Sequence, residues 1–313
     1  MTNRAVRTDK LRPMIQIPSA VLRGVTPVTR QLNRLNGLNP ALRPLRPARG
    51  AALKVLERLH QPGSESAAIE SVVHLGGHVR MRVNTYDLIE RQVFLVGFEP
   101  EVRALIRRQV REGRACIDVG ANAGVHALTM ATAVGRRGRV LACEPNPRVA
   151  ARLRDNAKLS GTPQLAVHEV AIGDQVGTTQ LYVPLDHRHG GGASLHQETH
   201  AALAGNEMVE VPLVTIDDLL SQTGVRGVDL VKIDIEGFEA PAVRGGVGLL
   251  RRERPTLIFE YTPAWWQRDG ESLEDVLSLL RNCGYASFQE ITRRGLVDVV
   301  APFSRRMDVV ARP

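Results

Sequence analysis

Ala115-Cys116-Ile117-Asp118-Val119-Gly120-Ala121-Asn122-Ala123-Gly124 reads as a short apolar strand that breaks into a glycine-bearing turn. Helical sequence follows directly, from Gly124 to Val134, and ends at Gly135. Strand, turn and helix in that order open a parallel α/β sheet. Gly120 frees the backbone to turn close to a ligand, and Gly124 allows tight packing where the helix starts. The turn spells D-x-G-x-N-x-G, which is not the G-x-G-x-x-G of dinucleotide sites. Asn122 stands where a second glycine would open the backbone to a pyrophosphate, and Asp118 would repel one. The turn therefore disfavours NAD and FAD and suits a cation.

The same alternation continues outward from this stretch. A strand is predicted at Arg139–Cys143, then a helix at Pro147–Leu159. Asn146 can cap that helix, Pro147 fits its first position and Gly161 follows its end. Further strands are predicted at Gln164–Ala171, Thr178–Val183, Val209–Val214, Asp229–Ile235 and Thr256–Tyr261. Helices are predicted at Ile216–Gln222, Ala240–Leu250 and Leu273–Cys283. Upstream, Ser71–Asn84 alternates as a hairpin around Gly76-Gly77, and Glu101–Val110 has one apolar helical face. Tyr285–Ile291 and Leu296–Ala301 would close the sheet as an antiparallel pair. The expected fold is α/β: a mostly parallel sheet, helices on both faces and an antiparallel C-terminal hairpin.

Glu144 ends the second of these strands, twenty residues past Gly124. That is about the spacing of an acid that grips ribose hydroxyls. A ligand with a ribose, a positive centre and no phosphates matches S-adenosylmethionine. Asp118, Gly120, Asn122, Gly124 and Glu144 are its candidate contacts, and Asp174, after the third strand, is a candidate for adenine. Asp174 also has an ordinary reading as a turn residue.

Asp229-Leu230-Val231-Lys232-Ile233-Asp234-Ile235-Glu236-Gly237 is the most chemical strand of the chain. Val231, Ile233 and Ile235 face one side, and Lys232, Asp234 and Glu236 the other. Unpaired burial would cost several kcal/mol per ion. Such charges are tolerated at the carboxyl end of a parallel sheet, where ligands bind. The bland alternative is a local Lys232–Asp234 ion pair that fixes packing. Glu239 begins the next helix, where an acid suits the dipole.

These stretches resemble the FkbM-type family of S-adenosylmethionine-dependent methyltransferases. The resemblance rests on Phe98-Glu99-Pro100, the Ile117–Gly124 turn, Glu144-Pro145-Asn146, Val170–Asp174, Thr215–Asp218, Lys232–Glu239 and Phe259-Glu260. It spans about residues 91–261, with K-I-D-x-E-G-x-E as its specific block. It implies a class I, Rossmann-like methyltransferase fold and O-methylation of a natural product or sugar. His126 departs from it, standing where the family often has an aromatic residue. On this reading Asp234 is the base or the acceptor-orienting residue, Lys232 and Glu236 tune it, and Glu239 supports the rim. A second mode would use a divalent ion, because Asp234 and Glu260 should end neighbouring strands; no metal ligand set is assigned.

The chain has 313 residues and a net charge of +8. Residues 1–60 hold twelve Lys and Arg against Asp9 and Glu57, so the rest is slightly acidic. The chain thus divides into a basic, Pro- and Arg-rich extension, 1–60, and a methyltransferase-like domain, 61–313. The extension is expected to be weakly ordered apart from a short helix, Ala51–His60. It is the one route by which nucleic acid would be a partner; the expected partner is a small-molecule hydroxyl acceptor. No N/D-P-P-Y/F tetrapeptide follows the charged strand, which argues against amino methylation of bases. No apolar run is long enough to span a membrane. Three cysteines without a CxxC pair suit a reducing, cytoplasmic setting and not structural zinc. The loop Asp186–His200 carries four histidines and reads as a substrate lid or plain surface.

Overall fold

The computed structural model describes residues 70–76, 79–95, 97–185, 192–196 and 205–313. The basic extension and its expected helix lie outside the described residues. In chain order the strands are β1 (Glu70–Gly76), β2 (Val79–Asn84), β3 (Ala115–Val119), β4 (Arg139–Cys143), β5 (Leu165–His168), β6 (Ala171–Ile172) and β7 (Gly177–Pro184). Then come β8 (Asn206–Val214), β9 (Val228–Ile233), β10 (Thr256–Tyr261), β11 (Ser287–Thr292), β12 (Gly295–Asp298) and β13 (Met307–Arg312). The helices are α1 (Leu88–Leu95), α2 (Pro100–Gln109), α3 (Val125–Val134), α4 (Pro147–Ser160), α5 (Ile216–Thr223), α6 (Glu239–Arg244), α7 (Val247–Arg252), α8 (Pro263–Arg268) and α9 (Leu273–Asn282).

The central sheet has the order β12-β11-β13-β10-β9-β3-β4-β5. The run from β10 to β5 is parallel. β13 inserts antiparallel between β10 and β11. The expected hairpin exists as β11 and β12. It does not pair with β10, because β13 takes that edge. Val309, Val310 and Ala311 are buried there, at the very end of the chain. No turn residues flank this run to mark it as a strand.

Two apolar layers sandwich the sheet. Val102, Ile106, Ala127, Leu128 and Leu153, from α2, α3 and α4, pack with the β1–β2 hairpin over Cys116, Ala142, Leu230, Ile258 and Val310. The helices from α5 to α9 cover Ile117, Leu141, Val231, Ile233 and Phe259 on the other face. Strand residues thus alternate between layers with period two. The predicted caps form: the Asn146 side chain accepts from the Arg148 amide, and Gly161 ends α4 in the left-handed region.

Two expected elements divide, and two helices are added. Gln164–Ala171 divides into β5, in the main sheet, and a β6 that joins β7 and β8 in a separate three-stranded sheet. Ala240–Leu250 divides into α6 and α7 at Gly245-Gly246. The Gly245 backbone presses on the carbonyl of Gly173, where an added Cβ would lie 1.9 Å from the oxygen. The helices α1 and α8 were not expected, being too short to show a sustained period.

Candidate active site

Period two and the strand register build the site. On the β1–β2 side of the sheet the apolar residues Ala142, Cys116, Leu230, Ile258 and Val310 sit two positions from polar ones. Two residues on from Ala142, Cys116, Leu230 and Ile258 come Glu144, Asp118, Lys232 and Glu260; two before Val310 comes Asp308. Asp118 is level with Lys232, and Glu260 with Asp308. One face of the carboxyl edge therefore carries a continuous row of ionisable groups from β4 to β13. Ligands bind at this edge of an open α/β sheet.

The glycine-bearing turn sits at the centre of the row. Gly120, with φ 78°, has its backbone against Asp234; a Cβ would lie 1.9 Å from the Asp234 carbonyl oxygen. Asn122 takes φ 49°, a left-handed conformation that Asn tolerates. Its Oδ1 accepts from the Ala123 amide at 2.6 Å. The two oxygens of Glu144 accept from the Asn122 and Asn146 amides, at 2.9 and 3.0 Å. Burial pushes Glu144 up to about 7, against those donors. Asp118 is fully buried; its carboxylate makes no close hydrogen bond among the described residues and has only the Ala127 amide and the Lys232 ammonium to favour its charge. Burial raises it to about 6 while Lys232 pulls it down.

Lys232 holds the middle of the row. It is 4% exposed and donates to Asp234 Oδ2 at 2.8 Å. Burial opposes its charge, but Asp234, Asp118 and Glu99 together hold the ammonium above the ordinary lysine range. Burial likewise works against Asp234, and Lys232 outweighs it, so that carboxylate lies below its usual value. The local ion pair and the functional cluster are thus the same object.

Glu239 is a buried knot and not a rim residue. Its Oε1 accepts from the Ile235 and Gly237 amides at 3.0 and 3.2 Å, and its Oε2 from Trp266 Nε1 at 3.0 Å. It thereby fixes the turn after β9, where Glu236 has φ 55° and Gly237 φ 105°. Trp266 is fully buried, stacked on Phe259 and edge-on to Tyr261, so it packs this knot. Burial raises Glu236 to about 8. Asp174 does not join the cluster. Its Oδ2 accepts from Arg244 Nε at 3.0 Å, and Arg244 also holds Glu271, so it serves an ion-pair network at the end of α6. The described part of the histidine loop does reach the site: Ser194 Oγ donates to the Glu236 carbonyl, and His196 stands 3.0 Å from Asp269 and against Phe238.

Asp234, Glu239 and Glu260 bring carboxylate oxygens within 4.8 Å of one another. Each charge is already met: Asp234 by Lys232, Glu239 by three N–H donors, and Glu260 by Arg306. Arg306, Asp308, Glu99 and His126 are members of the site that sequence reasoning gave no role. Arg306 and Asp308 share the β13 pattern with Val310, which went unread together with its strand. In the sequence Glu99 figures only within the Phe98-Glu99-Pro100 stretch, with no chemical role.

This fold, with an acid-lined carboxyl edge, defines a class I methyltransferase. The sequence model of the FkbM methyltransferase domain matches residues 118–287, more than half of the chain, and the chain belongs to that family. S-adenosylmethionine is its cofactor. The residues present fit it: a cation suits the buried Asp118 carboxylate, whose oxygens make no close hydrogen bond among the described residues, and Glu144 keeps acceptor positions for ribose hydroxyls. The chain is 24% identical over 177 residues to the 2-O-methyltransferase NoeI of Sinorhizobium fredii, covering 52% of this chain and 70% of that protein. A methyltransferase FkbM structure from Methylobacillus flagellatus aligns at 14% identity with a TM-score of 0.41, covering 84% of this chain and 59% of that one. Aeropyrum pernix fibrillarin aligns at 15% identity and a TM-score of 0.39, covering 68% and 73%.

Proposed function

We propose that this methyltransferase transfers its methyl group to a hydroxyl oxygen of a small molecule, a natural product or sugar. The observation that carries this reading is the Lys232–Asp234 pair beside the buried Asp118. It sets a fixed carboxylate next to the cofactor acids, where it can accept a hydrogen bond from an acceptor hydroxyl and align its oxygen. The name of the Sinorhizobium relative, a 2-O-methyltransferase, agrees with this. The cofactor supplies an electrophilic methyl on a sulfonium sulfur. Asp118 and Glu144 would hold its positive end and its ribose, and the Asn122 turn would shape their approach. Asp234 would orient the acceptor, with Lys232 keeping it ionised. Glu239 would keep the turn after β9 in place. Asp234 is too well stabilised as an anion to be a strong base, so its role is orientation.

The test is a screen of hydroxylated metabolites with methyl-labelled S-adenosylmethionine, on wild type and Asp234→Asn. Asp234→Asn should keep cofactor affinity by calorimetry and lose about 100-fold or more in turnover. Full activity in that variant would refute the assignment. A divalent-ion-assisted transfer is the second reading, favoured by the convergence of Asp234, Glu239 and Glu260. A chelator that abolishes turnover would select it; because every one of those charges has a partner, turnover should persist.

A further inference from the structure

Glu144, Asp234 and Glu260 in the central row each have a structural partner, and one further carboxyl enters from a different layer. Glu99 precedes α2 and has φ 40° and ψ 61°. Pro100, at the first position of α2, keeps Glu99 out of the right-handed helical region. A non-glycine residue held left-handed carries a cost that the surroundings must sustain. The obvious use of an acid there is to cap the helix, yet its side chain makes no capping hydrogen bond. It turns instead to the site, where Lys232, Asp234, Asp308 and Arg306 are its charged neighbours.

Behind it stands His126, in the first turn of α3. His126 is 5% exposed, and its Nε2 lies 3.3 Å from Glu99 Oε2. Among the described residues that nitrogen makes no hydrogen bond, and Glu99 is the acid nearest to it. A buried ring nitrogen left unpaired is costly, so Glu99 is the group it is placed to serve. Phe98, one residue before, packs on the imidazole with centroids 6.0 Å apart. The Glu99 side chain keeps about a fifth of its surface, 21%, open to solvent.

We infer that Glu99 is a further catalytic residue of this site, taking the proton of the acceptor hydroxyl, with His126 as the positioning residue that orients its carboxylate. This rests on the hydroxyl-methylation reading. In the step, the acceptor oxygen forms its bond to the methyl carbon while the carbon–sulfur bond breaks. The sulfur keeps that electron pair, and the hydroxyl proton passes to a Glu99 oxygen. Glu99, on a side chain partly open to solvent, then returns the proton to water. Burial, with Asp234 and Asp308, pushes Glu99 up to about 8 against Lys232 and Arg306, which makes it a stronger base than an ordinary carboxylate. Burial, with Lys232 and Arg103, holds His126 well below its usual value, so it stays neutral beside the Glu99 carboxyl. Other acids are less suited. Glu260 is clasped by Arg306, Glu239 by three donors and Asp234 by Lys232, and Glu236 has no partner at its back.

The experiment uses the full chain with Glu99→Gln, Glu99→Asp, His126→Asn and Glu236→Gln. Each is assayed for S-adenosylmethionine affinity, for turnover of a hydroxyl acceptor found in the screen, and for its pH profile. Glu99→Gln should bind the cofactor as wild type does, lose about 10²–10⁴-fold in kcat, and lose the rise in rate between pH 6 and 9. Glu99→Asp should restore part of that rise, His126→Asn should move its midpoint, and Glu236→Gln should keep it. Independently, the Glu99 carboxyl carbon, followed by NMR, should titrate near 8. S-adenosylmethionine should lower that value more than S-adenosylhomocysteine, which lacks the sulfonium charge. A Glu99→Gln enzyme with wild-type kcat and pH profile would overturn the assignment. So would a Glu99 resonance titrating near 4.5 with the same response to both ligands. If no hydroxyl acceptor is turned over while the resonance behaves as expected, the hydroxyl reading fails and the Glu99–His126 pair stands.

Discussion

Replacing Lys232 by Met gives the sharpest test of how the site is held together. Methionine nearly matches the lysine stem in length, so packing is largely kept while the charge is removed. The ammonium is 4% exposed and lies 2.8 Å from Asp234 Oδ2, with Asp118 and Glu99 as further partners. Removing one member of a buried pair costs about 3–5 kcal/mol, since the other is left as an uncompensated charge. Three carboxylates lose their cation here, so the upper half of that range is expected at pH 8. The pH dependence has a definite sign. In wild type, Lys232 holds Asp234 below its ordinary value, so that carboxylate contributes stability above the unfolded pKa, lost only as pH falls through the lower folded one. Without Lys232, burial is the largest influence left and raises all three carboxyls, with Arg306 opposing it at Asp234 and Glu99. A raised carboxyl weakens the fold above its folded pKa and regains stability as protons bind at lower pH. Each unit of upward shift returns about 1.4 kcal/mol per group. The difference between Lys232→Met and wild type should therefore shrink steadily from pH 8 to pH 5. Urea unfolding followed by the fluorescence of Trp265 and Trp266 measures it. A difference below about 1 kcal/mol, or one that does not change with pH, would refute a lysine-centred cluster.

Trp266→Phe keeps the ring contacts with Phe259 and Tyr261 but removes the N–H on Glu239, and should cost about 1–3 kcal/mol in thermal or urea unfolding. Gly245→Ala meets no backbone strain, at φ −67°, but its Cβ would collide with the Gly173 carbonyl. About 1–3 kcal/mol of destabilisation is expected, read from the urea midpoint. Cofactor affinity should fall as pH drops from 8 to 5.5, because Glu144, near 7, takes up a proton and accepts less well from the ribose hydroxyls, and Asp118, near 6, ceases to attract the positive end. Calorimetry across that range should show it, and a flat affinity would be inconsistent with these two acids as the cofactor's grip.

Asp118, Glu144, Lys232 and Asp234 were legible as a site because period-two strands place charges where an apolar residue belongs. The cap at Asn146 and the left-handed end at Gly161 were legible because they depend only on neighbours in the chain. Glu239 was seen as a helix-start acid and proved to be a buried knot, since its partner Trp266 lies 27 residues away. Asp174 was placed with the cofactor because it follows the third predicted strand. That strand leaves the main sheet at β6 and takes Asp174 to Arg244.

Sequence alone thus determined the alternation of strand and helix, the turn at Gly120 and the acids on one side of each strand. Backbone sterics and side-chain parity act over a few residues, and so can be read along the chain. Only the tertiary structure decided that β13 enters between β10 and β11, and that Glu99 and His126 come down from the helical layer onto Lys232. Those decisions depend on which surfaces bury each other and which charges share one low-dielectric space. Residues far apart in sequence settle that together, so no local pattern records it.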